Sequence, residues 1–359
     1  MSTLDISKID KNFASEEIQY EGLKIYNVRD SLFKIFGLYK PYEDERFKRM
    51  PHDEAMKMNP SIQELYTHTS GGRVRFKTNS SRIFLRAIMP QIVCSDHMPK
   101  TGGSCFDLYV DGEYYNTFRH GILVGLEQKD SPKNAYDSNV IIKEKKMHDI
   151  LINFPLYSSV YDVFIGLDEE AVVLPAEEYT HTKPIVFYGS SITQGACASH
   201  AGNSYVNILS RRFDSDIINL GFSDGCKGED AMAEYIAGLD MSILVYDYDH
   251  NASTLEHLTQ THERTFKIIR EKQPNLPIII ITAADRTLDK PARRSVIYRT
   301  YENAIKNGDQ NVYYIDGSKI YEPVGRGLCT VDQVHPNDIG FLMMANAIEA
   351  VIQKILEKY

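Results

Sequence analysis

The sequence predicts a protein in which an antiparallel β-sandwich precedes an α/β domain with a five-stranded parallel sheet. Two observations carry this prediction. The chain has 359 residues, more than one hydrophobic core usually organises. Its hydrophobic pattern also changes after about residue 175, from short alternating strands to buried strands separated by helices. We therefore expect domains at residues 1–178 and 179–359, joined by a linker near 175–183.

Short strands of alternating polarity characterise the first half of the chain. The segment RVRFKT places Val74 and Phe76 on one face and charged residues on the other. The segment FDLYVDGEYY alternates in the same way up to Asp111-Gly112, a dipeptide that suits a tight hairpin turn. Several short strands with turns between them favour an antiparallel sandwich.

Five apolar, β-rich runs mark the second half of the chain. Helical stretches separate them, and the last segment, NDIGFLMMANAIEAVIQKILEKY, has apolar residues at helical spacing. Strands that alternate with helices indicate a parallel sheet with helices on both faces. The five predicted strands are 185–189, 216–222, 242–248, 277–283 and 311–317.

The composition is that of an ordinary globular protein and excludes some partners. The apolar fraction is 43% and the charged fraction 25%. A net charge of -9 argues against a sequence-independent grip on nucleic acid and against an anionic membrane surface as partner. No apolar run approaches the roughly 20 residues of a membrane helix, and the N-terminus lacks a secretory pattern. We therefore expect a cytoplasmic protein.

The cysteines support the same expectation and give no metal motif. Their number is odd and they contain no CxxC pair, so we expect neither a disulfide framework nor a zinc knuckle. The spacing of the three cysteines in the second half is also unlike that of a metal site. The five are Cys94, Cys105, Cys197, Cys226 and Cys329.

Candidate catalytic side chains follow the strands of the predicted parallel sheet. Ligands bind such sheets outside the carboxyl ends of the strands. The first strand ends before Ser190 and Ser191, and the third before Asn251, whose amide is a neutral donor suited to an oxyanion. Beyond the fifth strand, Asp332 and His335 are three residues apart, so that one loop could let the carboxylate orient the imidazole. Together these residues suit acyl transfer through a covalent serine ester.

Other polar residues at the strand ends have simpler interpretations. Ser190 suits a turn or a helix cap. Asp247 and Asp249 would tie neighbouring loops together through backbone N–H groups, because buried carboxylates need hydrogen bonds. His250 is a candidate for the substrate pocket and a competing candidate for the base, although no carboxylate on an independent loop has a suitable spacing from it.

Four short segments resemble, in order, the four sequence blocks of the SGNH/GDSL hydrolase superfamily. They are GSSIT, NLGFS, DYDHN and DQVHP, and the resemblance covers residues 180–359. In the first half, GSCFDLY and GGRVRF resemble the Gly-x-Asp-Leu-Tyr sandwich domain of one bacterial branch. The resemblance implies a flavodoxin-like, three-layer catalytic domain after a jelly-roll-like sandwich. It also implies esterase or acylhydrolase activity, often the removal of acetyl groups from carbohydrates.

The resemblance also assigns roles to individual residues. Ser191 matches the nucleophile, Asp332 and His335 match the rest of the triad, and Asn251 matches the asparagine of the oxyanion hole. The backbone N–H of Ser191 would be a second oxyanion donor. The third oxyanion donor would be a backbone N–H at the position where the family has glycine and this chain has Asp224.

The function predicted from these residues is hydrolysis of small acyl esters, chiefly acetyl esters of carbohydrates. Gly225 is an alternative third oxyanion donor to Asp224, and Ser190, Gly225 and His250 are further candidates for the pocket. No metal and no organic cofactor is required. Two alternatives stay open: a non-catalytic carbohydrate-binding protein, in which Asp224 disables the oxyanion hole, and an esterase for lipids or longer acyl chains. A homo-oligomer is also possible on this sequence.

Overall fold

The computed structural model describes residues 21–90, 95–119, 135–284 and 291–358. In the described part of the first half, two antiparallel sheets pack into a sandwich. One sheet has the strand order β1-β9-β4-β7, and the other has β10-β3-β8-β5-β6 with β2 paired to β3. The strands are β1 (Leu23–Asn27), β2 (Lys34–Phe36), β3 (Arg73–Thr78), β4 (Arg82–Ile88), β5 (Phe106–Val110), β6 (Glu113–Phe118), β7 (Ala135–Ile141), β8 (His148–Asn153), β9 (Asp162–Asp168) and β10 (Val173–Pro175).

The sandwich has its own buried core between the two sheets. Val74 and Phe76 of β3 join Leu85 of β4 and Ile165 of β9 in one apolar cluster. In the described part of this half, three short helices lie among the strands: α1 (His52–Ala55), α2 (Pro60–Leu65) and α3 (Lys100–Gly103). The predicted antiparallel sandwich is therefore confirmed.

The predicted hairpin joins β5 and β6, and the second half covers the outer face of β5. Asp111 and Gly112 have φ values of 52° and 86°, the left-handed backbone that a primed hairpin turn requires. All five residues of β5 are buried, although the alternating pattern suggested one exposed face. Asp107 explains the difference, because its Oδ2 accepts hydrogen bonds from His200 Nδ1 and the Gly202 backbone N–H, each at 2.6 Å.

A five-stranded parallel sheet with the order β12-β11-β13-β14-β15 organises the second half. This is the flavodoxin-like strand order, and it confirms the predicted fold. The strands are β11 (His181–Gly189), β12 (Ser215–Gly221), β13 (Ile243–Asp247), β14 (Ile278–Ile281) and β15 (Val312–Ile315). The helices are α4 (Ser191–Gln194), α5 (Tyr205–Arg212), α6 (Asp230–Ala237), α7 (Leu255–Lys272), α8 (Pro291–Lys306), α9 (Arg326–Cys329) and α10 (Asp338–Leu356), and 3₁₀ turns span Ala201–Asn203, Ser223–Gly225 and Gly317–Lys319.

Helices cover the parallel sheet on both faces. Leu209 of α5 and Ile348 of α10 pack with Phe187 on one face. Helices α6, α7 and α8 pack on the other face, where Leu258 joins Tyr246. Hydrogen-bonding caps define where several helices begin, because the first N–H groups of a helix have no partner within it. Their side chains are Ser204 for α5, Thr254 for α7 and Asn337 for α10.

The last helix corrects one expectation from the sequence. By length and composition alone, α10 could cross a membrane, whereas no such run was expected from the sequence. A core helix of a globular protein passes the same test, and one such helix is weak evidence for a membrane. Phe341, Met344 and Ile348 of α10 are buried against the sheet.

One segment of the first half packs directly on the parallel sheet. Met58 of the α1–α2 turn and Ile62 of α2 share an apolar cluster with Tyr188. The buried Arg49 guanidinium donates to the backbone carbonyls of Asn219 at 3.1 Å and Gly221 at 2.5 Å. This segment therefore helps to hold the carboxyl end of β12. The predicted division at 178/179 falls between β10 and β11 and stays a prediction.

Candidate active site

Ser191 lies where β11 meets a short helix. Strand β11 ends at Gly189, which pairs with Gly221 of β12 and Asp247 of β13. A Cβ at Gly189 would approach Thr193 Oγ1 to 2.0 Å, so only glycine fits there. Ser191 follows as the first residue of α4. An N–H in this position has no acceptor within the helix and is available to a ligand.

Ser190 has the geometry of a helix cap. Its hydroxyl accepts a hydrogen bond from the backbone N–H of Ile192 at 3.2 Å, and the residue is 1% exposed. It therefore directs its oxygen at the helix backbone, whereas Ser191 directs its own at a histidine.

A tight loop holds Asp332 and His335 beside the helix that begins at Ser191. The backbone of Val331 donates to the carbonyl of His335 at 2.9 Å, which closes the loop. Within it, Asp332 Oδ1 accepts from the backbone N–H groups of Val334 at 3.1 Å and His335 at 2.7 Å. The spacing of three residues thus lets one carboxylate bind both the loop backbone and the histidine ring.

The three candidate triad residues are joined by consecutive hydrogen bonds. His335 Nε2 is 2.9 Å from Ser191 Oγ, and His335 Nδ1 is 2.7 Å from Asp332 Oδ2. An ionised carboxylate only accepts, so Asp332 assigns the proton of the neutral ring to Nδ1. The lone pair of Nε2 then faces the serine hydroxyl, which is the arrangement of a general base and its nucleophile.

The hydrogen bonds to Asp332 keep its carboxylate ionised. Partial burial pushes its pKa upward, but the ring of His335 and the backbone N–H groups of His335 and Val334 outweigh burial and lower the pKa to about 2. Asp332 is therefore negatively charged throughout the range in which a histidine titrates, and it would stabilise a protonated His335 ring.

The candidate oxyanion loop is a 3₁₀ turn from Ser223 to Gly225 after β12. The backbone N–H of Gly225 donates to the Phe222 carbonyl at 2.6 Å and is therefore already hydrogen-bonded. This favours the backbone N–H of Asp224 over that of Gly225 as the oxyanion donor. The carboxylate of Asp224 is exposed and accepts from the Ser61 hydroxyl at 3.1 Å. It is thus directed at α2, and its charge is paired with a hydroxyl donor.

Asn251 follows β13 in a loop that Asp249 holds in place. Asp249 Oδ2 accepts from the Ala283 N–H at 3.0 Å, and Oδ1 accepts from Arg293 Nε at 2.9 Å. Among the described residues, the Oδ1 atom assigned to Asn251 is buried and has no hydrogen-bond partner. The two ends of an amide are assigned from their partners, so this side chain has capacity for a further hydrogen bond. His250 lies half-buried in the same loop.

The carboxylate at the end of β13 belongs to a buried network. Asp247 Oδ2 accepts from Thr193 Oγ1 at 3.1 Å and from the Tyr205 hydroxyl at 3.3 Å. Burial raises the pKa of Asp247 to about 7, although the Thr193 hydrogen bond opposes the rise. Asp247 thus ties β13 to α4 and α5 through hydroxyl groups, whereas the sequence suggested backbone N–H partners. Asp249 binds one such N–H, as predicted.

Three further residues lie near the site. The His97 ring, in the sandwich half, lies with its centroid 5.3 Å from that of His335. The Cys197 thiol is buried close to both rings. The Tyr157 hydroxyl donates to the backbone carbonyl of Ser191 at 3.2 Å. His97 and Tyr157 precede the parallel sheet in the chain, so no pattern of strand ends could identify them.

Two family models match this chain in sequence. Residues 182–353 match the GDSL-like Lipase/Acylhydrolase family, and residues 23–173 match the N-terminus of Esterase_SGNH_hydro-type. A search of curated proteins finds no match.

Solved structures resemble the chain over nearly its whole length. A GDSL-like lipase from Bacteroides ovatus is 27% identical with a TM-score of 0.80, covering 93% of this chain and 98% of that one. The salicylyl-acyltransferase SsfX3 from a tetracycline biosynthetic pathway is 20% identical with a TM-score of 0.74, covering 94% and 98%.

A third structure with the same fold has a carbohydrate substrate in its name. It is an acetyl xylan esterase, Est2A, from Butyrivibrio proteoclasticus, 12% identical with a TM-score of 0.58, covering 93% of this chain and 99% of that one. At this identity the likeness shows the fold alone. Together, the family matches and the fold identify residues 182–353 as a domain of the GDSL-like lipase/acylhydrolase family and the protein as an ester-hydrolysing enzyme.

Proposed function

We propose that this enzyme is a serine esterase that removes small acyl groups, chiefly acetyl, from carbohydrates. One observation carries the proposal: Ser191, His335 and Asp332 form a continuous row of hydrogen bonds of 2.9 and 2.7 Å at the carboxyl edge of the parallel sheet. A binding protein has no physical need for a serine hydroxyl aimed at a histidine whose tautomer a carboxylate fixes.

Nucleophilic attack follows from the positions of the protons. His335 Nε2 takes the proton of Ser191 Oγ as the oxygen attacks the acyl carbonyl carbon, and the carbonyl electrons move onto its oxygen. The ring is then a cation with a proton on each nitrogen. Asp332, ionised and hydrogen-bonded to Nδ1, stabilises this cation.

Three donors would hold the tetrahedral oxyanion. They are the backbone N–H of Ser191, the backbone N–H of Asp224 and the side-chain amide of Asn251. Each donor fixed in place before the reaction can lower the barrier by about 3 kcal/mol. The Ser61 hydroxyl draws the Asp224 carboxylate towards α2, which supports a donor role for its backbone.

Collapse of the intermediate completes the two halves of the reaction. The ester C–O bond breaks, His335 returns its proton to the departing sugar alcohol, and the acyl group stays on Ser191. A water molecule then loses a proton to His335 and attacks the acyl carbonyl. The carboxylic acid leaves, and Ser191 Oγ recovers its proton from the ring.

The substrate class is supported by likeness in fold. Acetyl xylan esterase and family two carbohydrate esterase appear among the names of proteins with this two-part architecture. We therefore propose an acetylated sugar or short oligosaccharide as substrate. We also propose a cytoplasmic location, on the odd number of cysteines and the lack of a CxxC pair in the sequence. A non-catalytic carbohydrate-binding protein and a longer-chain esterase are the alternatives that the next two experiments separate.

Labelling by a fluorophosphonate probe tests the nucleophile. The wild type should be labelled covalently, and Ser191→Ala should not be, because the probe bonds to an activated serine oxygen. Ser190→Ala is the matched control, since it removes the neighbouring hydroxyl and should still be labelled. Equal labelling of the wild type and Ser191→Ala would refute the assignment, and an unlabelled wild type would favour a binding protein.

A series of nitrophenyl esters tests the acyl group. We expect kcat/KM to fall from acetate through butyrate to octanoate. A higher kcat/KM for octanoate would replace the acetylesterase proposal with a lipid esterase. Release of acetate from acetylated xylo-oligosaccharides, measured against an acetylated amino alcohol, would then test the carbohydrate part of the proposal.

A further inference from the structure

Three soft or borderline metal ligands converge beside the candidate nucleophile. His97, Cys197 and His335 each offer one ligand atom, and these three atoms lie within 4.8 Å of one another. The residues come from the sandwich, from the turn after α4 and from the loop that precedes α10. No short sequence motif contains them, so only the fold brings them together.

Both histidines have the outer contacts that metal-binding histidines usually have. His335 Nδ1 is 2.7 Å from Asp332 Oδ2, and His97 Nδ1 is 3.0 Å from Asp96 Oδ1. A carboxylate on one ring nitrogen fixes the tautomer and makes the other nitrogen a better ligand. Each ring therefore keeps Nε2 as its available metal ligand.

Cys197 has a backbone conformation that a cysteine rarely adopts. Its φ is 73°, in the left-handed region where glycine and asparagine are favoured. The residue is 4% exposed and is free of disulfide bonds. This conformation holds the sulfur beside the two rings, and strain of this kind concentrates at functional positions.

The three atoms need only a small movement to hold one ion. Zn–N bonds of about 2.0 Å and a Zn–S bond of about 2.3 Å in a tetrahedron place the ligand atoms about 3.3 to 3.5 Å apart. A pair of ligand atoms at 4.8 Å would therefore close by about 1.3 to 1.5 Å. A water molecule would take the fourth position, and the thiol proton would leave to solvent as the thiolate binds.

The geometry points to a binding site for Zn²⁺ or a similar borderline cation that shuts off the esterase. Two imidazoles and one thiolate favour Zn²⁺, Co²⁺ or Cd²⁺ over Mg²⁺ and Ca²⁺, which prefer oxygen ligands. A metal on His335 Nε2 takes the lone pair that would accept the Ser191 proton. Inhibition rests on the proposed function, whereas metal binding itself does not.

Cobalt titration tests the site without any use of activity. Co²⁺ added to the reduced, full-length protein should produce a thiolate-to-cobalt charge-transfer band and the visible bands of tetrahedral Co²⁺, at one equivalent. Cys197→Ser should abolish the charge-transfer band, and His97→Asn should weaken binding at least tenfold. Cys105→Ser, which removes a buried thiol in the sandwich, should leave the titration unchanged.

The inactive nucleophile variant separates this inference from the proposed function. Ser191→Ala keeps all three ligands, so its cobalt spectrum should match that of the wild type. If the wild type is active, Zn²⁺ should inhibit it reversibly. The Zn²⁺ concentration that halves activity should be at least tenfold higher for Cys197→Ser than for the wild type, with the activity of each protein normalised to its own rate after treatment with a chelator. No charge-transfer band in the wild type, or an unchanged band in Cys197→Ser, would overturn the site. Absence of esterase activity with the band present would refute only the proposed function.

Discussion

Two carboxylates at the same edge of the parallel sheet have opposite environments. Asp332, in the loop after α9, receives N–H donors from two backbone groups and one ring, and its side chain is 36% exposed. Asp247, at the end of β13, is 3% exposed, and its donors among the described residues are hydroxyl groups. Their pKa values accordingly move apart, to about 2 and about 7. Burial raises the pKa of Asp247, whereas the N–H donors of Asp332 outweigh its smaller burial, so Asp332 is the carboxylate that can support a histidine cation.

Removal of the Asp332 charge should have the largest effect on catalysis. In Asp332→Asn the amide no longer fixes the proton on His335 Nδ1 and no longer stabilises the protonated ring. We expect kcat for nitrophenyl acetate to fall by about 10⁴-fold, with the fold intact by circular dichroism. A loss below tenfold would show that this carboxylate does not orient the base.

Asp247→Asn should change the pH dependence of the protein's stability, which tests the difference between the two carboxylates. An amide oxygen can still accept from Thr193 and Tyr205, so the substitution changes charge more than contacts. When a carboxyl has a higher pKa in the folded protein than its unfolded value near 3.9, the folded protein loses stability as pH rises between the two values. For Asp247 this window runs from about pH 4 to about pH 7, and the full cost is up to about 4 kcal/mol.

The measurement is unfolding by urea at several pH values. Relative to the wild type, Asp247→Asn should gain stability as pH rises from 4 to about 7 and then level off. Asp332 should behave in the opposite way, since a depressed pKa supplies stability above the unfolded value that is lost as pH falls towards 2. A pH-independent difference between Asp247→Asn and the wild type would mean that Asp247 is ionised in the folded protein across this range.

The chain order of strands and helices made the fold and the candidate triad predictable. Each catalytic candidate follows a strand of the parallel sheet, and such strand ends must meet at one edge. The contribution of the sandwich was not predictable in this way. Asn59 donates to the Gly225 carbonyl at 2.9 Å, and His97 lies beside His335, yet both precede the catalytic half by more than eighty residues. Contacts between two independently patterned halves depend on how they dock, which hydrophobic periodicity does not encode.

Asp224 extends the comparison to a third carboxylate, that of the residue whose backbone N–H is a proposed oxyanion donor. A charge at this position would oppose catalysis if it faced the developing negative oxygen. Instead, the Ser61 hydroxyl donates a hydrogen bond of 3.1 Å to the Asp224 carboxylate. The Asp224 side chain is also exposed to water, which screens its charge. We therefore expect Asp224→Gly, which restores the residue that the family has there, to change kcat for nitrophenyl acetate by no more than about threefold.

Ser61→Ala serves as the matched control for this small effect. Loss of its hydroxyl frees the Asp224 carboxylate to approach the oxyanion, so kcat should fall in Ser61→Ala more than in Asp224→Gly. The double variant should recover to the level of Asp224→Gly, since no carboxylate remains to be held away. An increase of kcat above tenfold in Asp224→Gly alone would show that the carboxylate faces the reacting oxygen despite the Ser61 contact, and equal activity of all three variants would show that the contact has no catalytic consequence.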